Sequence, residues 1–411
     1  MAVTPESSFG WLDYDQDAAD QMREVFGAFD DKDTIDSLGF GVIRDSLSDQ
    51  LFPGTSTIQT RARYFFFVPW IMQMLEHERT SPGDFNRRLK ELEITLIESL
   101  RQLAGPSDGV IGHRARARLK RFPSSVYWNG VHAFEIRLLR LSIPEYRGIA
   151  HRLATADVLV DVDDDGQRVS TARRMWDPDL PKAPPGFPTA ALPLALTRTE
   201  SEYLVGKIVT AHPESMLGEL ARDLDVDRTP DLPWDVPLHQ PSARVRRVLH
   251  HARCFSEITH GAQVLYNILL ARQAERVLQW DTVDLQETLT SDLEDWCNLV
   301  DGRRAELREW SQGEEFWATI EHRAPVNPRA RRFVLQWADL ALADPSAVQP
   351  DTKAAELVVE RERQLKRNLA RLTQPRALEN WNGQPFSRSQ MAFRWRSARQ
   401  ILDDLADHEG E

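Results

Sequence analysis

The chain has 411 residues, 41% of them hydrophobic, with 12 Trp and 17 Phe, which supplies apolar material for two or three packed domains and excludes a disordered chain. Its formal net charge of -12 excludes a protein that coats nucleic acid with its whole surface and leaves room only for a local basic patch. Two cysteines, Cys254 and Cys297, without a CxxC, exclude a disulfide scaffold and a cysteine-rich zinc finger.

The opening residues "MAVTPESSFGWLDYDQD" contain no basic segment followed by an apolar one, so no signal peptide is read. No apolar run approaches the roughly 20 residues that span a bilayer. A soluble, cytoplasmic protein with no membrane contact is expected. Residues 1–36 carry ten carboxylates against Arg23 and Lys32, and Met22, Val25, Phe26 and Phe29 fall at helical spacing. That predicts an amphipathic helix with an acidic face over 18–29.

The segment "FGVIRDSLSDQLF", 40–52, reads as a short helix between glycine turns. Ser56 and Gln59 match a capping box, which predicts a helix starting there and running into "RYFFFVPWIMQMLEHE". Pro69 lies inside it and predicts a kink near 65–69, or two helices meeting. Leu89, Leu92, Leu96 and Leu100 share one face of a further helix over 83–103.

Residues 113–121 hold five Arg or Lys, one His and no acid. A helix there, the break at Pro123-Ser124, a second helix over 124–136 and the strand-like "IRLLRLSI" predict a helix-turn-helix or winged-helix unit around 112–145. "DVLVDVDDDGQRVSTARRMWD" reads as a hairpin around Asp165-Gly166, and "DPDLPKAPPGFPTAALPL" as a proline-rich linker. Helices are expected over 199–211, 214–224, 242–280, 283–301, 303–324, 326–343, 352–372 and 388–406. The fold is therefore mainly α and multidomain with a small β-hairpin. The expected parts are an N-terminal helical domain over 1–156, hairpin and linker over 157–196, and a C-terminal helical domain over 197–411.

Arg114, Arg116, Arg118, Lys120 and Arg121 form the densest basic patch and are candidates for phosphate contact. Tyr127, Trp128 and Asn129 in the second helix are candidates to face bases or backbone. A solvated helix paired with the acidic N-terminal segment is the blander account. Arg61 and Arg63 stand in the first turns of a helix, where the macrodipole disfavours cations. With Arg44, Asp45 and Asp49 of the adjacent "RDSLSD" element they make either an anion site or a structural ion pair. Alternate residues do not share a helix face, so at most one of the two arginines turns inward.

The run "DVDDDG" fails as a calcium loop, because the twelfth position from Asp161 is Ala172 rather than Glu. His250 and Cys254 are one helical turn apart within "HHARCFSEITH", but no second ligand pair stands at recognisable spacing. No metal site and no cofactor are assigned. There is no GxSxG, Walker loop, GxGxxG or HExxH, so no catalytic residue is assigned either.

"GWLDYD", "LGFGVIRDSLSDQLFPGTSTIQTRARYFFFVPW", "GVIGHRARARLKRFPSSVYWNGV" and "LENWNGQPFSRSQMAFRWRSARQIL" together resemble the uncharacterised bacterial family called domain of unknown function 6361. The resemblance spans nearly the whole chain. It implies no reaction and no catalytic residues. It does imply an association with helicases and nucleases of antiviral defence. The expectation is a non-catalytic nucleic-acid-associated component of a bacterial defence or DNA-transaction system, with DNA or RNA and a helicase or nuclease as partners. Two alternatives stand beside it. One is a protein scaffold without nucleic-acid contact. The other is a metal-dependent phosphodiesterase using Asp13, Asp45, Asp49 or the His250 group.

Overall fold

A computed structural model describes residues 36–153, 159–162, 168–171, 174–321 and 325–407. The expected helix over 18–29 and the hairpin turn at Asp165-Gly166 lie outside the described residues. The described chain is mainly α-helical. Its helices, in order, are α1 Gly41–Leu51, α2 Tyr64–His77, α3 Phe85–Leu100, α4 Pro123–Ala133 and α5 Ile143–Leu153. After β1 (Leu159–Val162) and β2 (Arg168–Thr171) come α6 Arg198–Ala211, α7 Met216–Arg222, α8 Ala243–Leu278 and α9 Val283–Gly302. The last are α10 Arg304–Gln312, α11 Glu315–Glu321, α12 Pro328–Ala343, α13 Lys353–Lys366, α14 Pro375–Leu378 and α15 Trp395–Ala406. β1 and β2 pair antiparallel, with Leu159 opposite Thr171 and Val162 opposite Arg168. Among the described residues no helix is long and apolar enough to cross a membrane.

The chain divides into two compact units, each assembled from separated segments. The larger comprises Gly41–Ile258, Arg303–Arg332 and 391–407 of the described chain. The boundaries expected at 156 and 196 both fall inside it. The smaller comprises 36–40, Thr259–Gly302 and Phe333–Gln390.

The larger unit is organised by α2. Tyr64, Phe65, Phe66, Phe67, Trp70, Ile71 and Met72 are all buried, so the helix is covered on every side rather than along one stripe. It packs against α3, α4 and α5. The proline-rich stretch 177–196 also lies along it. Phe187 meets the rings of Phe67 and Trp70, and the Trp70 indole donates to the carbonyl of Pro181 at 2.7 Å. α4 approaches closely because residue 130 is glycine: a Cβ there would stand 2.5 Å from the carbonyl oxygen of Gly54.

The helix expected from Ser56 begins instead at Tyr64. The Gln59 side chain does accept from the Ser56 N–H at 3.1 Å, but this half of the capping box closes a turn. Gln59 is drawn away by the carbonyls of Gly54 and Val126, to which its amide donates. Pro69 is accommodated within one helix, not between two. A capping box does form at Thr197, where Glu200 bonds reciprocally to open α6.

Each end of α2 brings an ionisable group into the core. Arg63, the residue before the helix, is buried; its guanidinium donates to Glu200 at 3.0 Å and to the carbonyl of Pro193 at 2.9 Å. Glu76, near the other end, accepts from the Tyr146 hydroxyl at 2.5 Å and the Trp176 indole at 2.8 Å. Burial holds the Glu76 carboxyl above its ordinary range despite both hydrogen bonds.

In the smaller unit the second half of α8 packs with α9, α12 and α13 residues. Trp296 of α9 stacks beside Trp337 of α12. Tyr266 of α8 donates to the fully buried Glu362 at 2.7 Å. Glu362 also accepts the backbone N–H groups of Arg371 and Leu372, which pins the turn after α13. That turn ends the helix near 366 rather than 372.

Removing the Arg63 guanidinium leaves Glu200 buried without its counter-charge. Arg63→Met is therefore expected to cost on the order of 3–5 kcal/mol in denaturant unfolding, and Glu200→Gln in the same chain to recover part of it. Glu93 of α3 offers a pH test. It is buried, accepts the Ser124 N–H at 2.7 Å, and is pushed up from 4.5 to about 7 by loss of hydration. The folded state thus favours the protonated form. Its contribution is complete below 4.5 and is lost as pH rises through about 7. Unfolding free energy followed from about pH 5 to about pH 8 should fall in the parent and fall less in Glu93→Gln, by on the order of 2–3 kcal/mol.

Candidate functional site

The basic segment does not form the first helix of a helix-turn-helix. Residues 113–121 are a chain of turns with one short 3-10 turn at Arg116–Arg118. Gly109, Gly112 and Arg116 all take positive φ, which breaks any continuous helix before Pro123 starts α4. Gly112 is in the left-handed region with its Cα facing Ile97 and Leu119, where a Cβ would meet both at 2.9 Å. The segment is thereby fastened to α3 by its apolar members, and Arg114, Arg118 and Lys120 are left exposed. "IRLLRLSI" is not a strand. Arg137 is buried and donates to the carbonyls of Leu139, Leu141 and Trp128, which curls the segment around its guanidinium. Among the described residues its strand-like pairing is a single bridge, Arg137 with Trp176. Burial lowers Arg137 to about 10, so it remains charged at neutral pH.

Arg114, Arg116, Arg118 and Lys120 are exposed and Arg121 is half-buried. Arg116 lies 3.5 Å from Glu98 of α3, a half-exposed and weak pair. Among the described residues, Arg114, Arg118 and Lys120 have no ion-pair partner. Arg101, Pro106, His113, Arg114, Arg116 and Arg118 line an open depression of about 620 Å³. Arg101, in the turn after α3, was not part of the sequence-derived patch. The signal that could have placed it is the Gly105-Pro106 turn, which folds the chain back over the end of α3.

Tyr127 and Trp128 do not face solvent. They are 0% and 5% exposed, and their polar atoms are used inside the protein. The Tyr127 hydroxyl accepts from the N–H groups of Thr60 and Arg61 and donates to the Arg61 carbonyl. The Trp128 indole donates to the carbonyl of Leu141 at 2.7 Å, and the Arg137 guanidinium lies over its ring. Of the three residues expected to read bases, only Asn129 is exposed.

Arg61 and Arg63 are held by acids from other parts of the chain, not by Asp45 and Asp49. The Arg61 Nε lies 2.8–2.9 Å from the oxygens of Asp404, a buried residue of α15, and one guanidinium N–H reaches the carbonyl of Asp108. Asp404 also accepts the N–H of Ala62 at 2.7 Å. Arg63 pairs with Glu200 inside the core. Asp45 and Asp49 instead receive Arg394, at 3.6 and 2.5 Å, and Asp45 also meets Arg44 at 3.2 Å. These residues are a set of structural ion pairs, with their charges met by protein groups.

A second cluster surrounds Cys254 in the first half of α8. His250 is exposed and Cys254 buried one turn later, with either imidazole nitrogen 3.9 Å from the thiol sulfur. Glu306 of α10 brings a carboxylate oxygen to 3.4 Å from His250 Nδ1. Its neighbour Arg303 bonds Glu306 and the buried Glu257 and places a guanidinium nitrogen 4.0 Å from the sulfur. Burial pushes the Cys254 thiol up to about 11, so it is protonated at neutral pH. His251 turns inward, accepts from the Trp310 indole at 3.1 Å, and is lowered to about 4 by burial. Glu306 was not connected to His250 in the sequence; 56 positions separate them.

No curated protein and no solved structure matches the chain. One family model does, over residues 6–409, and its description is "Family of unknown function (DUF6361)". With almost the whole chain covered, the protein belongs to the family of unknown function DUF6361.

Proposed function

We propose that the protein is a non-catalytic nucleic-acid-associated component of a bacterial defence or DNA-transaction system, and that residues 113–121 contact the phosphate backbone. The observation that carries this reading is a nine-residue segment with four exposed cations, three of them without an ion-pair partner among the described residues, around an open depression. Cations left in water rather than paired are free to exchange their counterions for phosphates. A net charge of -12 confines that exchange to the patch, because acidic surface elsewhere repels a polyanion.

The chemistry on offer is contact with phosphate. Tyr127 and Trp128 are turned into the core, so no aromatic face from them stacks on a base. Guanidinium groups on a turn-rich segment offer charge and N–H donors to phosphate oxygens without a helix to lay along a groove. Binding of this kind is insensitive to sequence and steeply dependent on salt.

The test is fluorescence anisotropy with labelled duplex and single-stranded oligonucleotides across a salt series. Affinity should fall log-linearly with salt. Arg114→Ala combined with Arg118→Ala should weaken binding on the order of tenfold at low salt and reduce the salt slope by about 2. Both side chains are exposed and have no ion-pair partner among the described residues, so the fold should be unaffected. Undetectable binding at low salt, or binding unchanged in the double variant, overturns the reading and favours a protein scaffold.

A further inference from the structure

We propose that His250, Cys254 and Glu306 form a binding site for one zinc-class divalent ion. The three side chains come from two helices of the larger unit and converge on one point, their ligand atoms all lying within 4.8 Å of one another. A tetrahedral ion with bonds of about 2.0 Å to nitrogen or oxygen and about 2.3 Å to sulfur needs ligand atoms roughly 3.3–3.6 Å apart. The His250 Nδ1 to Glu306 oxygen distance is 3.4 Å, and Nδ1 to sulfur is 3.9 Å. The third separation, sulfur to carboxylate, is bounded only by 4.8 Å, so closing the site takes a side-chain movement on the order of an ångström, which the exposed Glu306 and His250 can make.

The placement on α8 follows from its pitch. Positions four apart lie one above the other, so His250 and Cys254 present nitrogen and sulfur on the same face. The donor set is one sulfur, one imidazole nitrogen and one carboxylate oxygen. That mixture suits a borderline-soft ion and is wrong for magnesium or calcium, which take oxygen ligands. Cys254 lies buried at the base while His250 and Glu306 stand at the rim, half exposed, so an ion can enter from solvent. Three protein ligands leave the fourth position to water.

The charges balance. A divalent ion displaces the thiol proton to solvent and meets two negative ligands, the thiolate and Glu306. Arg303 stays bonded to Glu257, which it shares with Arg253. Arg303 now shares Glu306 with His250: its Nη2 is 2.7 Å from the oxygen that faces His250, and its Nε is 3.2 Å from the other. The ion takes the first oxygen and leaves the second on Nε. Arg303 then fixes the orientation of the carboxylate, as groups behind metal ligands commonly do.

The full chain, stripped with a chelator, is titrated with Co2+ and then Zn2+ while absorbance is recorded. One equivalent of Co2+ should bring a sulfur-to-metal charge-transfer band and visible bands of tetrahedral intensity, both removed by Zn2+. Cys254→Ser should abolish the charge-transfer band. His250→Ala and Glu306→Gln change exposed positions, leave the fold intact, and should each weaken Co2+ binding at least about tenfold. Absence of stoichiometric uptake overturns the proposal and leaves the cluster as an ion-pair network around Arg303. A charge-transfer band that persists in Cys254→Ser, or uptake unchanged in both rim variants, overturns it as well.

Discussion

The larger unit depends on covering α2 completely. A helix that is aromatic on all faces cannot rest at a surface, so every neighbouring segment is recruited to enclose it. The cost falls at its two ends, where Arg63 and Glu76 must be desolvated. Glu200 answers the first and the Tyr146 and Trp176 donors answer the second. Glu200 serves twice. One oxygen takes the Thr197 N–H that opens α6, and the other takes Arg63, so one side chain starts α6 and neutralises a core charge. A buried pair of this kind adds little net stability and much specificity of placement.

The same enclosure decides where positive charge can appear. Arg61, Arg63 and Arg137 are consumed inside or against the core by carboxylates and carbonyls. Segment 113–121 is joined to α3 by Gly112 and Leu119, which leaves its arginines on the water side. Basic residues close in sequence thus have opposite fates, set by whether an acid or a carbonyl lies within reach after folding.

Local patterns were legible where periodicity acted alone. The leucines of α3 and the long periodic run of α8 predicted helices within three residues of their ends, as expected for strongly periodic segments. Ser56-x-x-Gln59 misled because its glutamine is claimed by Gly54 and Val126, partners that only the tertiary fold supplies. The equivalent pattern at Thr197-x-x-Glu200 is a working cap and was equally readable in the sequence. At 113–121 the density of cations was legible and their conformation was not, since positive φ at Gly109 and Gly112 just before the segment and at Arg116 within it overrides a helix. The inward turn of Tyr127 and Trp128 follows from hydroxyl and indole partners at Thr60, Arg61 and Leu141. The acids that meet Arg61 and Arg63 stand 343 and 137 positions away, beyond any local rule.

Arg394 bears on the order in which the protein can be completed. It adopts a left-handed backbone at the start of α15 and reaches Asp45 and Asp49 of α1, while Asp404 of the same helix receives Arg61. α15 is the last helix of the described residues and its partners are among the first, so the Arg61–Asp404 and Arg394–Asp49 contacts span 343 and 345 positions. Until α15 docks, Arg61 and the α1 carboxylates lack these partners, and the side chains of Trp395, Ile401 and Leu402, all buried once in place, have no cover. The larger unit is therefore closed by contacts of high sequence separation, which form slowly. A folding chain of this kind exposes apolar surface until α15 docks, and in that interval it is a substrate for chaperones.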